Sequence, residues 1–195
     1  MGVPFVNVLT VVSHPRVDSL TFQVAHRLIA GLKAKGHQTE LLDLYRSGFN
    51  PVLWEADEPE WTADNQRYSS EVEREIDRMK NHDGLAFVFP LWWWSMPAML
   101  KGYIDRVWNY GFAYGPKKLP HQQVLWLSLA GAPIERFEKR RYHSMIDHYF
   151  NVGLADYCGI PNSKVELFYE TIESGPGHVE TLLNRAYHLG LNYTG

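Results

Sequence analysis

A chain of 195 residues, 45% of them hydrophobic, with a formal net charge of −3 has the size of one domain and enough length to bury a full core. The mild acidity and the lack of any basic tract give no reason to expect nucleic acid or an anionic membrane as partner. No apolar stretch is long enough to span a bilayer. The single cysteine, Cys158, has no mate for an intramolecular disulfide, and Met1-Gly2-Val3-Pro4 lacks the charged-then-apolar plan of a signal peptide, so a reducing, cytoplasmic setting is expected.

Short apolar runs alternate with longer helical patterns along the chain. Phe5 to Val12 reads as the first strand and Ser19 to Lys35 as the first helix. The loop between them, Ser13-His14-Pro15-Arg16-Val17-Asp18-Ser19-Leu20-Thr21, carries hydroxyls where the helix begins. Ser19 and Thr21 can donate to a phosphate beside the first-turn N–H groups, with Arg16 adding charge. Equally, Ser19 can be an N-cap and nothing more. His37 to Leu42 is the second strand. From Leu44 to Asp64 the chain loses periodicity, yet Tyr45, Phe49, Trp54 and Trp61 argue against disorder. This excursion is expected to be ordered and to cover another surface, a second subunit among the candidates.

A helix is predicted from about Asn65 to Lys80, then a buried strand from Gly84 to Phe89. Pro90-Leu91-Trp92-Trp93-Trp94-Ser95-Met96-Pro97 follows, and Met96, Met99, Leu100, Tyr103, Ile104, Val107 and Trp108 then recur at helical spacing. The predicted helix runs from Ser95 to Trp108, with Ser95 as N-cap and Pro97 in its first turn. Three consecutive tryptophans cannot all point into one core. At the carboxyl end of a parallel strand they offer indole faces and backbone N–H groups to a planar heterocycle; packing against neighbouring elements or a partner subunit is the other reading.

Gln123 to Leu129 is the fourth strand, and the small-residue turn Ser128-Leu129-Ala130-Gly131-Ala132-Pro133 leads into a helix from Ile134 to about Ala155. Small residues there let the backbone approach a ligand closely. Ser163 to Phe168 and Gly177 to Gly190 complete the series as strand and helix. Five strands with intervening helices predict an α/β, flavodoxin-like doubly wound parallel sheet of order 2-1-3-4-5, a single domain over residues 1–195 with helices on both faces. Its ligand crevice would lie at the switch point between the first and third strands, where the phosphate loop and the tryptophan turn adjoin.

Three stretches resemble the flavodoxin-like NAD(P)H:quinone oxidoreductases, a family including mammalian quinone reductase, modulator-of-drug-activity proteins and the ancillary flavoproteins of potassium-efflux systems. They are Ser13-His14 with Ser19-Leu20-Thr21, DLYRSGFNP from Asp43 to Pro51, and FPLWWWSMPAMLKGYIDRVWNYGFAYG from Phe89 to Gly115. The resemblance implies a bound flavin, FAD ahead of FMN, reduced by NAD(P)H and reoxidised by a quinone in a ping-pong, two-electron reaction. It implies that His14, Ser19, Leu20 and Thr21 embrace the flavin phosphate. Pro90, Leu91, Trp92, Trp93 and Trp94 would line the ribityl chain and one ring edge, and Ala130 and Gly131 the other. Tyr114 would form the substrate face from the neighbouring subunit of a homodimer, with Trp94 and Gly131 also at the reacting ring. Where the mammalian enzyme has a Tyr and a His after the third turn, this chain has Arg136 and Tyr142, with His143 and His148 nearby. Members that dock on a cation-efflux transporter, and flavodoxin-type electron carriers, supply alternative functions.

Other chemistries find no motif. The first loop is neither a G-x-G-x-x-G turn nor a Walker loop, no H-E-x-x-H or G-x-S-x-G occurs, and no metal site is expected. His143 and His148, five apart, are expected on diverging helix faces.

Overall fold

The computed structural model describes residues 5–63, 65–172 and 174–194, so the readings of Met1 to Pro4 and of Asp64 fall outside the described residues. Five strands, β1 (Asn7–Val12), β2 (Gln38–Asp43), β3 (Gly84–Pro90), β4 (Gln123–Leu129) and β5 (Asn162–Phe168), pair in parallel in the order β2-β1-β3-β4-β5. The helices are α1 (Leu20–Lys35), α2 (Ser70–Lys80), α3 (Ala98–Val107), α4 (Ile134–Arg140), α5 (Tyr142–Asp147) and α6 (Pro176–Leu191), with a π-helical stretch His148–Asp156 after α5. The expected order is therefore the observed one.

Alternation along the central strands decides the layers, because successive side chains leave a strand on opposite faces. Val8, Val12, Ala86, Val88, Leu125 and Leu127 pack with Phe22, Leu28 and Leu32 of α1 and Leu182 and Ala186 of α6. Leu9, Val11, Phe87, Phe89 and Trp126 pack the other way, with Ile76 of α2, Leu100 and Tyr103 of α3, and Phe150.

Three helices differ from the periodic pattern. The α2 helix begins at Ser70, where the Ser69 hydroxyl accepts from the Val72 N–H, so only the polar cap separates it from the irregular stretch before it. The α3 helix begins at Ala98 with Pro97 as its N-cap residue and no side-chain cap. Ser95 is not the cap: the residue before a proline is pushed out of the α region, so the helix cannot pass through Met96. The long helix from Ile134 is broken at Arg141, whose φ of 57° ends α4 in the left-handed region, and the backbone widens to i→i+5 bonding from His148.

The irregular excursion is anchored by a buried ionic knot. Arg106 of α3 donates to Asp57 Oδ2 through Nε at 3.0 Å and Nη2 at 2.7 Å. It also donates to the Ser69 hydroxyl at 3.2 Å, the Asn50 carbonyl and Glu71. Burial alone would raise the Asp57 carboxyl, but the Ser69 and Arg106 hydrogen bonds outweigh it and hold it below its ordinary value. Gly102 makes the contact possible: a Cβ there would lie 2.1 Å from the Pro51 carbonyl oxygen. Among the described residues no helix is long and apolar enough to cross a membrane.

Candidate active site

The carboxyl ends of β1 and β3, where the chain turns to opposite faces of the sheet, open into two adjoining cavities. The first, about 230 Å³, is lined by His14, Arg16, Ser19, Leu20, Thr21, Pro90, Leu91, Trp92, Leu129, Gly131, Thr171 and Ile172. The second, about 180 Å³, is lined by Leu91, Trp93, Trp94, Ala130, Gly131, Ala132 and Phe137. They share Leu91 and Gly131, and among the described residues no carboxylate lines either.

The first cavity sits at the start of α1. Ser19 caps that helix by accepting from Phe22 N–H at 3.4 Å, a long bond, and the first turn carries no acidic side chain. The carboxylate nearest this positive helix end, Asp18, precedes the cap and is exposed to solvent. His14 Nδ1 lies 3.1 Å from both the N–H and the carbonyl oxygen of Arg16, so it accepts from the first in one tautomer and donates to the second in the other. Burial, then Arg16 and Arg46, push the His14 pKa below its usual value, against a hydrogen bond that raises it. Arg46 also braces the loop, donating to the His14 carbonyl at 3.2 Å and to that of Pro15, while Asp43 accepts at 3.1 Å and orients it.

The tryptophan turn is a two-residue hairpin loop. Trp92 and Ser95 exchange backbone hydrogen bonds of 3.0 Å in both directions, and the central pair, Trp93 and Trp94, have φ of 51° and 64°. Two positive φ values in succession are the mark of a type I′ turn, normally Asn-Gly. For bulky residues such backbone costs of order 1–3 kcal/mol each. The strain sends the three indoles different ways. Trp94 is stacked inward on Tyr142, with centroids 3.7 Å apart, and meets Phe137 edge-on at 5.6 Å. Trp93 projects outward, 93% exposed, and Trp92 leans over the first cavity with its ring centroid 6.4 Å from that of His14. Stacking on a ligand and packing on the protein are thus divided among the three.

On the opposite wall the Ala130 N–H donates to the Phe168 carbonyl at 2.7 Å, and the Ala130 and Ala132 carbonyls accept from Thr171 and Glu170. The loop after β5 is thereby stitched to the Gly131 turn. A Cβ at Gly131 would lie 2.4 Å from Cδ1 of the exposed Ile172 side chain, which would have to turn aside to admit it. Thr171 and Ile172 are site residues that sequence reasoning did not single out. The available signal was the strand order itself, which makes the loop after β5 a neighbour of the loop after β4.

Tyr114 is not part of this crevice within one chain. Helix α3 runs back to the amino edge of the sheet, and there Tyr114 packs on Tyr110 at 5.8 Å and on Tyr157 at 6.0 Å, just before β5 begins. Nor do His143 and His148 reach the crevice. They line one groove with Asp147, Glu166 and Arg185, rather than diverging faces as expected, because the groove against β5 and α6 is broad enough to be walled by both. Arg136 is exposed, and of the four candidates after the third turn only Tyr142 touches the tryptophan turn.

Comparison with known proteins agrees with this architecture. Residues 6–188 match the family described as having a flavodoxin-like fold. A protein of Escherichia coli (strain K12) named as an uncharacterized NAD(P)H oxidoreductase, YcaK, is 44% identical over 161 residues, 82% of this chain and 82% of that protein. NAD(P)H dehydrogenase [quinone] 1 of Cavia porcellus is 30% identical over 121 residues, 54% of this chain and 44% of that protein. Among solved structures, an NAD(P)H:quinone oxidoreductase from Methanothermobacter marburgensis superposes with a TM-score of 0.86 at 28% identity, over 97% of each chain. The chain therefore belongs to the flavodoxin-like fold family, in the branch of the NAD(P)H oxidoreductases.

Proposed function

We propose that the protein is a flavin-dependent NAD(P)H oxidoreductase that reduces quinones. The observation that carries this reading is the pair of joined cavities at the switch point, one built for an anion and the other for a flat ring, with no carboxylate among the described residues that line them. A flavin fits the donor set: the first turn of α1, the hydroxyls of Ser19 and Thr21 and the His14 ring suit its phosphate. The slot between the Trp93-Trp94 hairpin and Gly131 suits its ring. FAD is preferred to FMN because Trp92, 43% exposed, and Ile172, 70% exposed, leave apolar surface at the mouth of the phosphate cavity, where an adenine can rest.

Bound there, the flavin supplies the redox step, so that NAD(P)H, a proton and a quinone become NAD(P)+ and a hydroquinone. The chain's own residues do the rest. The Trp93 and Trp94 N–H groups find no acceptor among the described residues and are available to electron-rich ring atoms. Phe137, Trp94 and Ile172 exclude water from one side. None of the described side chains lining the ring cavity titrates, so the proton comes from solvent or from a group brought by a second copy. Tyr114 fits that place: it sits at the far edge of its own sheet, and an antiparallel homodimer sets it over the other subunit's crevice. Donor and acceptor then use one face in turn, a ping-pong order.

Heat release and chromatography of the cofactor test the reading directly. We expect FAD, and parallel double-reciprocal plots for NAD(P)H oxidation with a benzoquinone. A protein that takes up neither flavin would end this proposal, and intersecting plots would end the shared-face mechanism.

A further inference from the structure

A third cavity, about 430 Å³, lies between the excursion, α2 and the loop after α3, and shares no residue with the two at the switch point. Its volume is that of a small-molecule site. The rings of Trp61 and Tyr110 meet at 63° with centroids 5.1 Å apart, forming a corner that takes one planar ring, stacked on one wall and edge-on to the other. Ile76 and Phe112 also line it.

The walls are fixed in advance. The Gln66 side chain accepts from the Glu60 N–H at 3.0 Å and donates to the Glu60 and Ala63 carbonyls at 2.8 and 3.2 Å. The Tyr68 hydroxyl donates to the Tyr110 carbonyl at 2.7 Å, joining the two sides. Order of this kind lowers the cost of binding. Two cations reach the cavity. Lys80 Nζ lies 5.9 Å from the Phe112 ring centroid and, among the described residues, pairs with the exposed Asp77, a weak contact. Lys117 has no ion pair among the described residues. Glu73, the carboxylate among the described lining residues, already accepts from the Tyr68 N–H at 3.1 Å.

We infer that this cleft is a second ligand site, for a planar aromatic molecule bearing one anionic group. An aromatic carboxylate and a purine nucleotide share that chemistry. The ring enters the Trp61 corner, and the anion faces Lys80 and Lys117.

Calorimetric titration of the purified protein with 2-naphthoate, AMP and the neutral 2-naphthamide tests this without reference to turnover. At least one anion should bind once per chain, and 2-naphthamide at least ten-fold more weakly. Trp61→Ala and Lys117→Ala, both at exposed positions, should each weaken the anion at least five-fold, whereas Trp93→Ala should leave it unchanged. Binding of 2-naphthoate alone assigns the cleft to aromatic acids, and binding of AMP to nucleotides. Equal affinity for acid and amide, or affinity indifferent to Trp61 and Lys117, overturns the assignment, as does failure of both anions to bind.

Discussion

Trp94 and Tyr142 are stacked 3.7 Å apart with their planes 21° from parallel, and both follow or occupy left-handed backbone: φ is 64° at Trp94 and 57° at Arg141, the residue before Tyr142. Each conformation costs energy alone. Together they place two rings in contact between the tryptophan hairpin and the broken helix, so the α4–α5 break and the strained turn support one another.

Tyr142→Ala should therefore loosen the turn. Loss of the stacked pair is worth about 0.5–1.5 kcal/mol beyond lost burial, a shift that urea denaturation resolves. The quinone KM should rise several-fold with flavin retention little changed, and Tyr142→Phe should behave as wild type. An Ala variant with unaltered stability and KM would show that the turn holds itself.

Ser19 separates capping from cofactor binding. Aspartate is as good an N-cap as serine, yet its charge would oppose a phosphate at the same helix end. Ser19→Asp should weaken flavin binding by at least ten-fold, about 1.4 kcal/mol, while the unfolding midpoint stays near that of wild type. Fluorescence titration of the apoprotein with FAD measures the first and thermal melting the second. Unchanged affinity in a folded variant would reduce Ser19 to a cap.

The sheet order was legible because fully buried parallel strands write themselves as short apolar runs, as in Gly84 to Phe89, and because helices between them keep their 3.6-residue period. The two loops that open the crevice were legible for the same reason: a strand end followed by a helix start fixes where His14, Ser19 and Gly131 must lie. The type I′ hairpin was not, since Trp-Trp at its centre contradicts the preference of that turn for Asn-Gly, and only the surrounding packing overrides it. The break at Arg141 was hidden likewise, as arginine carries no signal for a left-handed residue. Thr171 and Ile172 were missed because their role comes from β5 lying beside β4, a contact between distant parts of the chain.

Acid should weaken the fold through His121. This ring is fully buried; its Nε2 donates to the Met79 carbonyl at 3.0 Å, and Nδ1 has no partner in the described structure. Burial pushes its pKa down from 6.5 to about 4. The unfolded chain thus takes up a proton below pH 6.5 that the folded chain refuses until about pH 4, so stability falls with pH across that window. The loss is on the order of 3 kcal/mol by its lower end. His121→Asn, less stable at neutral pH, should show a shallower fall between the same limits in urea titrations. An identical slope would assign the acid sensitivity to other groups.

Tyr114 tests the assembly. One chain leaves Trp54 and Trp93 exposed, large apolar surface that pairing would hide, and its tyrosine cluster at the amino edge is remote from its own crevice. Pairing two copies antiparallel would cover part of that surface and bring each Tyr114 over the other's ring site. Tyr114 is only half-buried, and burial holds its hydroxyl above the usual pKa, hence protonated and able to donate at neutral pH. Tyr114→Ala should leave flavin content and dimer mass in light scattering as they are while lowering kcat/KM for the quinone by ten-fold or more, and Tyr114→Phe should recover the part due to packing alone. A wild-type protein that scatters as a monomer at micromolar concentration while fully active would refute the shared site. In that case the proton must enter from solvent, and the turnover of Tyr114→Ala should match that of wild type.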